Sequence, residues 1–376
     1  MLAAACFPVF VQLASNGQGS AWIGWAADAG VWLLLALGLN VVVGFAGLLD
    51  LGYAAFFAIG AYGYALLASG QLGASPLHHA VHLPFWLLLF VAMLIAAGFG
   101  AILGAPTLRL RGDYLAIVTL GFGEIVPRIF RNLSDWTGGV NAIGGIDQPG
   151  LPIWITGPWA GTPLGLVRNF NFNFDPVAYY VLMLILVVGC VILVHNLQNS
   201  RLGRAWMAVR EDEVSAAAVG VNTVSTKLLA FMIGAAFSGF AGAYYGAKLS
   251  LVAPDNFEFI VSITVLSMVV LGGMGNIAGV MAGALAIYVV QFKILTDLPA
   301  NAVGLAHAVG LGFLNDRHGE WAGLGDETQR LNFLVFGLIL VFMMLLRPQG
   351  LLPSRVREQE LAGGTADDAV FDWREA

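Results

Sequence analysis

The chain has 376 residues, is 59% hydrophobic with a mean hydropathy of +0.81, and carries only 11% charged residues. Soluble domains carry about 25% charged residues, and a soluble fold of this size could not hide so much apolar surface. The net charge of −6 decides little, because in a membrane protein the placement of charges matters more than their sum.

Taken in chain order, residues 1–14 are apolar but short for a span. No basic stretch precedes them, so a cleaved signal peptide is not expected. Residues 1–28 read as an N-terminal segment whose association with the membrane is left open. Asp28 and Asp50 bracket an uncharged run over 29–49, and a second run covers 51–69. A third covers 84–104 and ends before Arg109. The run 114–133 is interrupted by Glu124 and Pro127. Asp175 and His195 bracket 176–194, and Lys227 and Lys248 bracket 228–247. The uncharged run 259–292 is too long for one span. Its middle, Gly272-Gly273-Met274-Gly275-Asn276, suits a tight turn, so it reads as two spans. Arg330 and Arg347 bracket 331–346, a short span that snorkelling end groups extend. These readings predict an all-α, polytopic transmembrane helical bundle of about nine spans, with a range of eight to ten.

Orientation follows from Lys and Arg. The loops 105–113 and 195–227 with the tail from 347 hold ten of the 17, although the alternate set of loops is longer. The first set, including the C-terminus, is assigned to the cytoplasm. Residues 134–175 and 296–328 are then outer segments. Glycines interrupt the apolar sequence near 44–52 and again near 272–279, a weak internal echo of the kind that marks a transport pathway. Close helix packing explains the same glycines equally well.

Several chemistries are missing from the sequence. There is no G-x-x-x-x-G-K-[ST] loop, and none of the three lysines follows a glycine, so no phosphate cradle exists for ATP. No H-E-x-x-H, paired C-x-x-C or G-x-S-x-G is present. Cys6 and Cys190 give no disulfide framework. His78, His79 and His82 have a metal-like spacing but no fourth ligand, so no metal is expected. Glu124, inside an apolar run, reads either as a pathway group or as a salt-bridged interfacial carboxylate.

The hydrophilic patch 201–227 stands out. Six charges, Arg201, Arg204, Arg210, Glu211, Asp212 and Glu213, are concentrated in 201–213. On one helix, Val209, Glu213, Ala216 and Ala217 would share a face, and Gly220 would then allow a turn. Such a short helix suits a groove on another protein; a solvated loop that only sets topology is the alternative.

This patch resembles the coupling loop of ABC importer permeases, in the variant found in permeases for branched-chain amino acids. The matching residues are Gly203-Arg204, Ala208 to Glu213, Ala216-Ala217 and Gly220, although Val214, Ser215 and Ala216 depart from the strict E-A-A form. Gly38-Leu39-Asn40 with Val43 to Gly47, and Gly52 to Ala61, resemble the family's early motifs. Leu110 to Tyr114 with Leu120 to Glu124, and then Thr137-Gly138-Gly139, are similar to its central ones. Val270 to Asn276 and Arg347 to Leu351 are similar to its late ones. Asp50 stands where a small polar residue is common and Tyr53 where His is common. The outer segment 151–175, with Trp154 and Trp159, is longer than usual.

The resemblance implies a permease domain over 29–353, with a coupling loop at 198–227; the polar tail 354–376 has no match in it and is cytoplasmic by the charge count. It implies a non-catalytic, multi-pass subunit of the bacterial inner membrane that forms half of an amino-acid import pathway. The implied partners are two ABC ATPase subunits, a second related permease, a periplasmic amino-acid-binding protein and the lipid bilayer, with no nucleic acid. The chain would bind no cofactor itself, and ATP would be used by its partners. Arg204, Arg210, Glu213, Ala216, Ala217 and Gly220 are the coupling candidates. Asn40, Asp50, Tyr53, Glu124 and Asn276 are the pathway candidates. The alternatives are a related permease for urea or short amides, an ion-coupled secondary transporter, and a membrane-bound enzyme.

Overall fold

The computed structural model describes residues 19–107 except 77 and 80, 113–150, 175–308, 323–346 and 350–352, together with Phe7, Pro8 and Val11. The tail 354–376, the stretch 151–174 with Trp154 and Trp159, and the motif residues 110–112 and 347–349 lie outside the described residues. The chain forms two compact units, Met1–Leu266 and Ser267–Ala376.

The first unit opens with α1 (Gly19–Leu39), which continues as a π-helical turn over Asn40–Phe45. It is followed by α2 (Tyr53–Leu67), α3 (Phe85–Thr107), α4 (Asp113–Asn132) and α5 (Pro176–Asn199). The patch forms α6 (Arg201–Glu211) and α7 (Glu213–Ala218), and α8 is Thr223–Leu249. α9 (Phe259–Gly272) spans the boundary. The second unit contains α10 (Ile277–Val289), a π-helical turn, α11 (Leu295–Ala308) and α12 (Leu324–Leu346). Among the described residues, six helices are long and apolar enough to cross a membrane, and the shorter α2 is also apolar. With α4 and α12, these stand where the sequence reading places its nine spans. The all-α, polytopic class is therefore the observed one.

α2 is the centre of the first unit. It packs against α8, α3 and α4, and most of its residues are buried. Small residues make this possible, because with no hydrophobic drive between helices in lipid, close backbone approach supplies the packing. A Cβ at Gly60 would lie 2.5 Å from the Gly239 carbonyl oxygen, and one at Gly242 would lie 2.5 Å from that of Phe57.

α1 starts well before the expected span, so residues 19–28 are helix and not a separate segment. Asp28 does not end the helix, because its carboxylate pairs with the Lys248 ammonium from α8; the ammonium also donates to the Gly24 carbonyl at 2.9 Å. At this end of the unit, short strands β1 (Ala68–Ser69) and β2 (Val81–His82) pair with each other, as do β3 (Ile143–Gly144) and β4 (Leu251–Val252). Tyr64 Oη ties this end to the Asp147 carbonyl at 2.9 Å.

The long uncharged run 259–292 does break at Gly273–Asn276, between α9 and α10. Asn276 caps α10, its Oδ1 accepting from Ala278 N at 3.1 Å and Gly279 N at 3.3 Å. α11 and α12 pack together.

Candidate functional site

The patch is two helices, not one. Ser200 caps α6, its Oγ accepting from Gly203 N at 3.2 Å. Asp212 is extended, with φ −152°, which ends α6. Its Oδ1 accepts from Val214 N at 2.7 Å and Ser215 N at 3.1 Å, and its Oδ2 from Ser215 Oγ at 3.0 Å. An N-cap carboxylate satisfies amides that a new helix leaves free, so Asp212 starts α7. The single face expected for Val209, Glu213, Ala216 and Ala217 is therefore corrected. Val209 and Ala216 are buried against their own chain. Glu213 pairs with Lys227 at 2.6 Å, and Ala217 is exposed. Gly220, with φ +90°, closes α7: its N–H donates to the Ala217 carbonyl at 3.0 Å, and no atom lies within 4 Å of the place a Cβ would take.

What the sequence reading missed is an apolar ridge. Val214 is 73% exposed and Val219 81%, beside exposed Ala217 and Ala218. Below it, Trp206 is fully buried and its Nε1 donates to the Thr226 carbonyl at 2.8 Å, pinning α6 to the first turn of α8. Three hydrogen bonds, led by that from the Ser215 amide, hold the Asp212 carboxyl below its ordinary value of 3.8. A lowered carboxylate pKa stabilises the fold above the unfolded value and loses that effect as pH falls through the folded one. Exchange protection of the Val214 and Ser215 amides is expected to hold at neutral pH, to fade as pH falls below the ordinary carboxylate value of 3.8, and to be lost at neutral pH in Asp212→Ala. Protection unchanged in that variant would show that the cap does not hold α7.

The two arginines act differently. Arg204 Nη1 donates to the Asn199 carbonyl at 3.0 Å, closing on the end of α5. Arg210 reaches into the bundle, and its Nη1 donates to the Gly44 carbonyl in the π-helical turn of α1. Its stem lies over Gly47, where φ is +68° and a Cβ would meet Arg210 Cγ at 2.8 Å. Only glycine allows both that backbone and that approach.

From Gly47 the chain passes through a break rich in polar contacts. Asp50 is buried, and its Oδ1 accepts from Gly52 N at 2.9 Å. Leu51 N donates to Thr119 Oγ1 of α4 at 3.0 Å, and Ala54 N to Ser262 Oγ of α9 at 2.9 Å. Tyr53 Oη donates to the Gly234 carbonyl of α8 at 3.1 Å, and Asn40 is fully buried in the π-helical turn. Asn40, Asp50 and Tyr53 therefore flank one interior break. Glu124 stands apart on α4, and Asn276 is a helix cap in the other unit.

Glu124 pairs with Arg128 at 3.1 Å, one turn along α4. The pair lies in a cavity of about 260 Å³, lined also by Gly123, Pro127, Arg131, Glu258, Phe259 and Ile260. Arg131 pairs with Asp255 and lies 3.9 Å from Glu258. His82 Nδ1 is 2.6 Å from Asp147 Oδ2, and His78 and His79 are exposed. No three metal-ligating groups converge among the described residues.

Comparison with known proteins adds identity to this geometry. Residues 22–344 match the family model described as branched-chain amino acid transport system, permease component. The chain is 39% identical over 343 residues to the high-affinity branched-chain amino acid transport system permease protein LivM of Escherichia coli K12, covering 89% of this chain and 71% of that protein. It is 27% identical over 341 residues to BraD, a permease protein of the same description from Pseudomonas aeruginosa, covering 85% and 91%. It is 25% identical over 358 residues to a probable LivM of Methanocaldococcus jannaschii, covering 87% and 91%. No solved structure matches. The family model covers most of the chain, and this multi-pass membrane protein belongs to the permease component family of branched-chain amino acid transport systems.

Proposed function

We propose that this chain is the membrane subunit of an ATP-driven importer of branched-chain amino acids in the bacterial inner membrane. It forms half of the pathway, beside a second permease, and receives its solute from a periplasmic binding protein. Two ATPase subunits bind on the cytoplasmic face, and one of them takes α7 of this chain, with Val214, Ala217 and Val219 in its groove and Gly220 shaping the turn. Glu213 and Ala216 hold α7 to its own chain, and Arg204 steadies α6. The observation that carries the reading is Arg210, which links the docking helices directly to the break beside Asn40, Asp50 and Tyr53. A tilt of α6 would pull on Gly44 and so move the start of α2. Alternating access then follows from motion of packed helices and not from chemistry on this chain.

The support is the family match together with a sequence that lacks any phosphate loop. The decisive experiment is purification of the tagged chain from its native membrane, followed by reconstitution. Two ATPases with phosphate loops are expected to co-purify, and uptake of labelled leucine is expected to need ATP. Leucine uptake by the purified chain alone on an ion gradient would sink the proposal. Gly220→Trp should leave membrane insertion intact and abolish uptake, since the side chain projects into the space a docked partner fills. Normal ATP-driven uptake in that variant would remove α7 from the coupling role.

A further inference from the structure

The cavity on α4 lies between the second half of that helix and the start of α9. We propose that it binds the zwitterionic head of a free amino acid, with the carboxylate on Arg128 and the ammonium between Glu124 and Glu258. The aliphatic side chain then rests on Phe259 and Ile260. The inference rests on the reading of the chain as an amino-acid permease and gives that permease a first solute site of its own.

Four observations converge on it. The charged lining, Glu124, Arg128, Arg131 and Glu258, sums to zero, so neither a simple anion nor a simple cation is favoured. The Glu124–Arg128 pair is open to water, with side chains 44% and 71% exposed. Exposed pairs of this kind contribute little, about 0–1 kcal/mol, so both partners can exchange each other for the two charges of a zwitterion. Pro127 has no N–H to give to the Gly123 carbonyl one turn earlier, which leaves that oxygen without its ordinary helical donor. Gly123 lines the same cavity, and its carbonyl is a further acceptor for an ammonium group. The volume of about 260 Å³ is below the range of about 300–1,000 Å³ typical of drug-sized ligands and suits a small solute.

The floor of the cavity also leads somewhere. A Cβ at Gly123 would lie 3.1 Å from Gly52 Cα, so the site abuts the break that Arg210 reaches from the other side. A solute held here is one contact away from the segment that the docking helices move.

The test uses the full transporter complex in lipid nanodiscs, with Cys6 and Cys190 replaced by alanine and Ile260→Cys as a reporter. The readout is the rate of labelling by a polar methanethiosulfonate. If the dissociation constant is about 1 mM, then about 10 mM leucine slows labelling roughly tenfold by occupancy alone. Leucinamide, which lacks the carboxylate, and 4-methylpentanoate, which lacks the ammonium, should give no protection at that concentration. Arg128→Met in the same background should lose the leucine protection; the change is at an exposed side chain, so the chain should still fold. Protection by the binding protein with none by leucine would assign the cavity to protein docking and overturn the inference. Equal protection by all three small molecules would overturn it as well. Absence of ATP-driven leucine uptake by the complex is a different outcome, which fails the functional reading itself.

Discussion

Gly60→Val is expected to abolish accumulation of the folded chain, while Gly98→Val leaves it close to the parent. At Gly60 a Cβ would meet the Gly239 backbone, 2.5 Å from its carbonyl oxygen and 2.7 Å from its carbonyl carbon. Backbone cannot rotate aside as a side chain can, and α8 is held there by its contacts with α3 and α1. Overpacking a well-packed core ordinarily costs about 1–3 kcal/mol, and an obstacle made of backbone lies at or above the top of that range. Native stabilities are only about 5–15 kcal/mol, so a loss of this size at the central helix is severe. At Gly98 no atom lies within 4 Å of the added Cβ. Size-exclusion profiles of fluorescently tagged variants in mild detergent make the comparison. Equal monodisperse peaks for both variants would show that the α2–α8 contact is not what holds the unit together.

Arg210→Met is expected to separate hydrolysis from transport. Methionine keeps an unbranched apolar stem over Gly47 and removes the guanidinium that donates to the Gly44 carbonyl. A hydrogen bond from a charged group contributes about 1.5–3 kcal/mol, which corresponds to about a ten- to hundredfold change in a coupled equilibrium. The exposed ridge at Val214 and Val219, the proposed docking surface, is untouched, so the ATPases should still assemble and turn over. Uptake of leucine per ATP hydrolysed should fall by that factor. Unchanged stoichiometry would show that the link from α6 to the α1–α2 break carries no motion. Loss of ATPase association would show that Arg210 serves docking instead.

Most spans were legible because a bilayer punishes charge, so bracketing charges gather near their ends. The split of 259–292 was legible from length and from the glycines at its middle. The start of α1 was not, because Asp28 is neutralised by Lys248, a partner far along the chain that local sequence does not announce. The break at Asp212 had a local signal, a carboxylate two and three residues before amides that need an acceptor, but a continuous helical pattern from 201 to 218 hides it. Asn276 and Tyr53 are pathway candidates in the sequence, and what it does not show is their structural partners: Asn276 caps α10, and Tyr53 bonds the Gly234 carbonyl. The cavity on α4 was half legible: Glu124, Pro127 and Arg128 stand together in sequence, while Glu258 joins them only through the fold.

The enclosure of α2 has a consequence for how the protein is made. Its partner α8 begins at Thr223, so the ribosome must first build everything from α3 through α7 before the contact at Gly60 can close. At synthesis rates of about 5–20 residues per second, that interval lasts on the order of 10–30 s. During it, α2, short for a bilayer, waits without the neighbour that later covers it. The nascent chain therefore depends on the insertion machinery, or on α3, to shelter α2 until α8 arrives. A ribosome that stalls between α5 and α8 releases a product with its central helix uncovered, a natural substrate for membrane quality control.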